Sequence, residues 1–353
     1  MSTINITINQ LNAAASAIVL VVSIINFVLG VVGQLLNLLV FTRPTLRREP
    51  CTLYFLSSTC FNLFIVVIVL PVRILANAFD IDQTDYNIGL CKIENFTFFV
   101  VRPISCWLIA FACVDRFLHS STNISIRRWS SLKTARVSIG IIIVAMAILY
   151  SHMIVYYNIS YTINQYGNIV PSCDSQKGFY RNFNTIWHTT FYSLCPSFLM
   201  IFFGSLTLKN IRQRRLIHPV VGGNNRIGRR TDSQLLRMLT AQVFIIIIST
   251  LPYSICRLYV SFTANVSKNT LRIAQENLAS QIVGVMRYFA HTSSFYLYTL
   301  TGIVFRKELI KIITHYLPMN RHVAHVHEGR TIQISVLQNN RQETRIHTAS
   351  NPQ

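Results

Sequence analysis

Arg102, Arg287 and His291 stand inside apolar runs, where an ionisable side chain is costly unless a partner or a ligand meets it. Arg102 lies eleven positions past Cys91, about 16 Å down a helix and too deep for its head to reach a polar interface easily. Arg287 and His291 are four residues apart, one turn of the same helical face. Arg73 and Arg257 lie nearer the ends of their runs. A planar guanidinium suits anion recognition, because its forked donors match a carboxylate or phosphate. The expectation is that Arg102 and Arg287 line a water-filled cavity and meet an acidic or carbonyl-rich group of a ligand, with Tyr288 and His188 nearby and Arg257 toward the rim. A structural partner such as Glu94 or a backbone carbonyl is the competing reading, most of all for Arg73 and Arg257.

The run that holds Arg102 closes on Asp115-Arg116, 24 and 25 positions after Cys91. That separation is about 36 Å at the helical rise, so the cysteine and the acid-base pair mark opposite faces of a membrane. Apart from Asp115 at its edge, no run holds a deep Asp or Glu. There is no CxxC and no histidine-rich cluster, and neither catalysis, a metal nor a cofactor is expected.

The elements that must position these groups are membrane spans. Of 353 residues, 51% are hydrophobic and only 12% charged, with a mean hydropathy of +0.41, outside the range of soluble domains. The net charge of +20 comes from bases in short loops between apolar runs, which reads as positive-inside topology and contact with anionic lipid rather than with nucleic acid. Most of the eight cysteines fall in apolar runs, where a thiol acts as a small hydrophobe.

Seven runs follow one another, over about 15–41, 52–78, 91–119, 137–157, 185–208, 235–260 and 281–304. Arg43, Arg47 and Arg48, then Arg127, Arg128, Lys133 and Arg136, then the arginines around Gly222-Gly223, place three loops inside; Asp80, Asp82 and Asp85 fit an outside loop. The predicted plan is a 1–14 extracellular tail, a 15–304 bundle, a 305–317 amphipathic helix on the inner surface, and a disordered cytoplasmic tail over 318–353 carrying Ser335, Thr344, Thr348 and Ser350. Sequons at Asn5, Asn158 and Asn265 all fall on the predicted outside and are candidate glycosylation sites, whereas Asn123 falls inside and Asn95 is close to the membrane. The fold class is thus an all-α membrane protein, a seven-helix bundle of the plasma membrane with its N-terminus outside and its C-terminus in the cytoplasm.

Over about Val28 to Leu317 the chain resembles a rhodopsin-like, class A G-protein-coupled receptor, similar to invertebrate neuropeptide receptors of the FMRFamide type. Asp115-Arg116-Phe117 resembles the Asp-Arg-Tyr at the inner end of the third helix, Pro196 and Pro252 match prolines of the fifth and sixth, and Tyr298 followed by Phe305-Arg306 matches the seventh. The resemblance implies a disulfide from Cys91 to Cys173. It also implies a resting clasp of Arg116 with Asp115 or Asp232 that loosens on activation, with snorkelling to headgroups as the alternative for Arg116.

Departures are several: Gln34, Asn62, Thr250, Ser294, Phe295 and Gly204 replace familiar residues, so a bound sodium ion is not expected. Phe98 stands where amine receptors carry an Asp and so joins the candidate pocket, and the seventh run has no lysine for a retinal Schiff base. The implied partners are an extracellular ligand, taken to be a peptide, a heterotrimeric G protein, arrestin and lipid. A transporter or channel is the alternative class, although no internal repeat supports it.

Overall fold

The computed structural model describes residues 2–79, 81–163, 169–217, 225–263 and 266–316. It divides into two compact units, Met1–Arg306 and Lys307–Gln353. The first is a helical bundle built from α1 (Ser2–Phe41), α2 (Pro50–Phe64, a π-helical stretch over Ile65–Val69, then Leu70–Phe79), α3 (Ile88–Ser120), α4 (Leu132–Tyr150) and α5 (Phe179–Thr189, a π-helical stretch over Thr190–Leu194, then Cys195–Ile217). They are followed by α6 (Asn225–Phe262) and α7, which comes in pieces over Thr270–Met286, Phe289–Thr292 and Ser294–Thr301. The helix α8 (Ile303–Tyr316) ends the described chain.

Helix is the form these runs must take in hydrocarbon, because it satisfies every backbone group within the segment. Among the described residues, six helices hold stretches long and apolar enough to cross a membrane, from Ala13–Phe41 to Gln234–Phe262. Among them α3 is the axis: 72% of its most apolar window is buried, against 22% to 33% for the others. Its start is fixed by Asn87, whose side chain accepts from the Gly89 and Leu90 amides at 2.9 and 3.2 Å. Ser131 caps α4 by accepting from the Thr134 amide at 3.2 Å, and Pro50 opens α2, where a missing N–H costs nothing. Both π-helical stretches stop just short of a proline, Pro71 in α2 and Pro196 in α5, each of which lacks a backbone donor.

Two boundaries differ from the sequence reading. The first helix begins at Ser2, ahead of its apolar span Ala13–Phe41, which matches the expected run from about Ala15, because no glycine or proline interrupts the segment before Gly30. The seventh begins at Thr270 rather than Gln281, since the polar stretch TLRIAQENLAS is a good helix former although it is not apolar. The same helix then breaks at Arg287–Tyr288, where a tight turn closes from the Tyr288 amide to the Val285 carbonyl at 3.1 Å. That interruption and its polar first half explain why it does not read as one long apolar helix.

The segment between α4 and α5 is a hairpin, β1 (Tyr157–Ile163) pairing antiparallel with β2 (Ile169–Ser175) in a register that sets Ile159 opposite Cys173. Cys173 is disulfide-bonded to Cys91 at the start of α3, and its amide donates to the Asp85 carboxylate at 2.7 Å. Burial raises the Asp85 carboxyl above the ordinary carboxylate range, against the opposing pull of that hydrogen bond. The first helix packs closely on its neighbours at Gly30, where an added Cβ would lie 2.8 Å from Thr292 Cγ2 and 2.9 Å from Val66 Cγ1.

Candidate functional site

Near the disulfide end, α3, α6 and α7 bring arginines and tyrosines together. Arg102 is 2% exposed. Its Nη2 donates to the Tyr288 hydroxyl at 3.3 Å, and its guanidinium lies 5.7 Å from that ring's centre. Arg287 sits over two rings, 4.4 Å from the centre of Tyr253 and 5.2 Å from that of Tyr288, and it also donates to the Tyr288 hydroxyl, at 3.5 Å. Among the described residues neither guanidinium has a carboxylate within ion-pair distance, and the Nε of each is buried without a hydrogen-bond partner. The Arg287 and Arg73 charges act on Arg102 and repel it.

Glu94, the structural partner weighed for these arginines and most of all for Arg73 and Arg257, faces Arg73, at 3.9 Å, and not Arg102. Arg73 also donates to Asn95 at 3.4 Å and lies 5.3 Å over the Phe98 ring. Phe98 in turn packs with Tyr288, Ile65 and Leu70 in one buried cluster. Arg257 lines a narrow pocket with Phe99, Asn184, Thr185, His188, Thr189 and Tyr253. His188 is buried there, bonded through Nδ1 to the Tyr150 hydroxyl at 3.1 Å, edge-on to Phe99 and stacked on Tyr192. Of the six residues predicted for the pocket, His188 and Arg257 line this cleft, Arg102, Arg287 and Tyr288 form a separate buried cluster, and Phe98 packs beside Tyr288. Tyr253 is the member that sequence reasoning missed: it follows Pro252 and stands one turn before Arg257, so an aromatic beside the kink on an arginine-bearing face was the available signal.

His291 does not join this group. It reaches the middle of the bundle, where its Nδ1 lies 2.9 Å from Asn62 Oδ1 and its Nε2 lies 3.4 Å from the Tyr192 hydroxyl. An amide oxygen can only accept, so Nδ1 carries the proton and Nε2 accepts from Tyr192. Ser105 also donates to Asn62 Oδ1, and Gln34 donates to the His291 carbonyl and, at 2.9 Å, to Ser294 Oγ. Asn37 donates to the same hydroxyl at 3.0 Å. The substitutions that looked like separate departures at 34, 62 and 294 are thus one connected network, uncharged throughout, with an imidazole at its centre. No group of three or more metal-ligating side chains occurs among the described residues.

At the far end of α3, Arg116 is 3% exposed and its Nη2 lies 3.2 Å from Asp115 Oδ2. The same nitrogen lies 3.7 Å from Glu49 Oε2, the residue just ahead of α2. Ser130 donates to Asp115 Oδ1 at 2.7 Å. Of the two acids expected for the clasp, Asp115 is in place; Asp232 lies on α6 with its side chain outside the described residues. Glu49 was not foreseen, because an acid directly after Arg47-Arg48 reads as a solvated loop charge. Tyr298 is buried beside this end among Phe41, Phe55 and Phe305, with ring centres 5.2 to 5.9 Å apart. Of the candidate glycosylation sites, Asn158 is exposed on β1, Asn265 lies outside the described residues, and the Asn5 side chain does as well.

Residues 33–302, more than half of the chain, match the family described as "7 transmembrane receptor (rhodopsin family)". Over 104 residues the sequence is 30% identical to the "Probable G-protein coupled receptor 34" of Mus musculus, covering 29% of this chain and 27% of that protein. It is 29% identical over the same length to the proteins of that name from Pan troglodytes and Gorilla gorilla gorilla, covering 26% of each. The matched region thus spans about a quarter of the length of these relatives.

Proposed function

We propose, since the chain belongs to the rhodopsin family of seven-transmembrane receptors, that it binds an extracellular ligand and activates a heterotrimeric G protein from the plasma membrane. The observation that carries this reading is that one helix holds both working ends. Arg102 on α3 joins the cluster with Tyr288 and Arg287, and Arg116, fourteen residues further along the same helix, sits in the acid clasp, about 21 Å away along the axis. A ligand that moves the upper part of this rigid, buried rod alters what the clasp can hold. The disulfide end, the N-terminus and the glycosylation sites Asn5, Asn158 and Asn265 then face outside. The clasp, the helix α8 lying along the inner leaflet, and the tail from 318 onward, a substrate for kinases and a binding segment for arrestin, face the cytoplasm.

The ligand is a peptide on this reading, which rests on the resemblance to neuropeptide receptors and on the lack of a carboxylate at Phe98 that would hold an amine. The chain performs no covalent chemistry of its own; nucleotide exchange happens on the partner. The test is expression in cells with a promiscuous G protein, challenged with a peptide panel. A calcium response that Arg116→Ala abolishes supports the proposal. A ligand-gated current that needs no G protein would instead make the chain a channel or transporter.

A further inference from the structure

We infer that the buried cluster of Arg102, Arg287 and Tyr288 takes an oxyanion, a carboxylate or phosphate-type group of the ligand, gripped between the two guanidinium groups; the inference rests on the receptor reading above. The cluster carries an electrostatic shortfall. Arg102 and Arg287 touch the same Tyr288 hydroxyl, so two like charges are held close together. Every acid on the described part of this end is engaged elsewhere: Glu94 with Arg73, Asp82 with Thr84, Asp85 with the Cys173 amide, Asp174 with the Ser175 amide, and Glu276 with Lys268 and Arg272.

Arg102 is on the most buried helix of the bundle and cannot snorkel to a headgroup. Aromatic faces at Tyr253 and Tyr288 offset part of the cost of holding these cations away from bulk water, but a ring face carries no net charge. Buried cations without a carboxylate are otherwise rare, because removing an ion from water is repaid only by a well-placed counter-charge. The unpartnered Nε atoms add two donors to the same place. Tyr288 contributes a third: its oxygen accepts from both arginines, which leaves its own proton free to donate to an incoming anion. A neutral amide end brings a carbonyl but no charge, and leaves both cations uncompensated. The site therefore selects a free acid or a phosphate ester over an amidated terminus.

Purified full-length receptor in nanodiscs tests this without knowledge of the ligand. Thermal unfolding is followed in phosphate and in acetate against chloride at equal ionic strength. Phosphate or acetate is expected to raise the midpoint by several degrees, through binding to the folded state, and Arg102→Gln and Arg287→Gln are each expected to abolish that rise. Arg102→Met should also raise the midpoint of the anion-free receptor, because it removes one of two uncompensated charges. Equal shifts in the parent and both glutamine variants, or no shift at all, overturn the proposal.

In cells, each peptide is offered as free acid and as amide, beside a panel of phosphate monoesters, and the active panel identifies the source of the anion. Potency of the active anion should fall about 100-fold in Arg102→Gln, the scale for losing one partner of a buried charge contact. An amidated peptide that acts as well as its free acid, with potency unchanged in Arg102→Gln, also overturns it. Signalling that is indifferent to Arg116→Ala would sink the receptor reading instead, and the unfolding experiment would still decide the anion site.

Discussion

Neutralising Glu49 is the most direct probe of the resting state. Arg116 Nη2 lies 3.2 Å from Asp115 and 3.7 Å from Glu49, with Arg116 3% exposed and the Glu49 side chain 38% exposed. At a separation of 3.7 Å and an effective dielectric of about 20, the gross attraction to Glu49 is roughly 4 to 5 kcal/mol. Solvent at the half-open carboxylate and the cost of ordering both side chains reduce the net value to about 1 kcal/mol. Asp115 keeps its own bond to Arg116 and its hydrogen bond from Ser130, so the clasp is loosened rather than abolished. If the active state lacks the Glu49 contact, Glu49→Gln raises the ratio of active to resting receptor by a factor of about 5. The assay is ligand-free nucleotide exchange on the G protein in membranes with matched receptor density. Higher salt should produce part of the same increase in the parent, because the outer partner is reachable by counter-ions. Unchanged basal exchange in Glu49→Gln, beside a clear rise in Asp115→Asn, would refute the assignment of Glu49 to the clasp.

Cys173→Ser opens a closed loop whose ends are 82 residues apart; the chain-entropy argument gives a ceiling of about 4.5 kcal/mol. The thermal midpoint should fall in the variant, and reductant should lower it in the parent only. Gly30→Ala puts a methyl within 3 Å of Thr292 and Val66 and should cost about 1 to 3 kcal/mol. Gly204→Ala meets nothing within 4 Å and should be neutral or stabilising by up to about 1 kcal/mol, so the two midpoints should move in opposite directions or only the first should fall. The Asp85 carboxyl, held high by burial, makes an unusual contribution to pH dependence. Its folded value lies above the unfolded one of about 3.9, so its stabilisation is complete below that value and is lost as pH rises through the raised one. The parent midpoint should therefore show a decline over that window that Asp85→Asn lacks.

Much of this arrangement could be read from the sequence, because hydrocarbon imposes long apolar helices and the interval from Cys91 to Arg116 fits one bilayer crossing. The central place of α3 follows the same pattern, whereas the Cys91–Cys173 bond was implied by the family resemblance and not by spacing. Boundaries were less legible wherever a helix continues past its apolar part, as at Ser2 and Thr270, because helix propensity and hydropathy then part company. The hairpin over Tyr157–Ser175 was hidden as well, since its alternating polar residues read as a loop between spans. Partners far apart in the chain were invisible. Arg102 and Tyr288 were expected near one another and Glu94 was weighed as a partner for Arg73, but that Arg287 stacks on Tyr253 and that His291 belongs with Asn62 depend on how helices rotate against each other.

The interrupted seventh helix links two otherwise separate tasks. Arg287 and Tyr288 stand at the break, and three residues later His291 holds Asn62, Tyr192 and the Gln34 side chain. On the proposed reading, a ligand that draws the Arg287 guanidinium toward itself also pulls on that short fragment and on the bonds His291 makes in the heart of the bundle. How tightly a compound is retained and how strongly it excites the receptor are, on that reading, two measures of a single displacement. Chemists improving one will find the other changing with it.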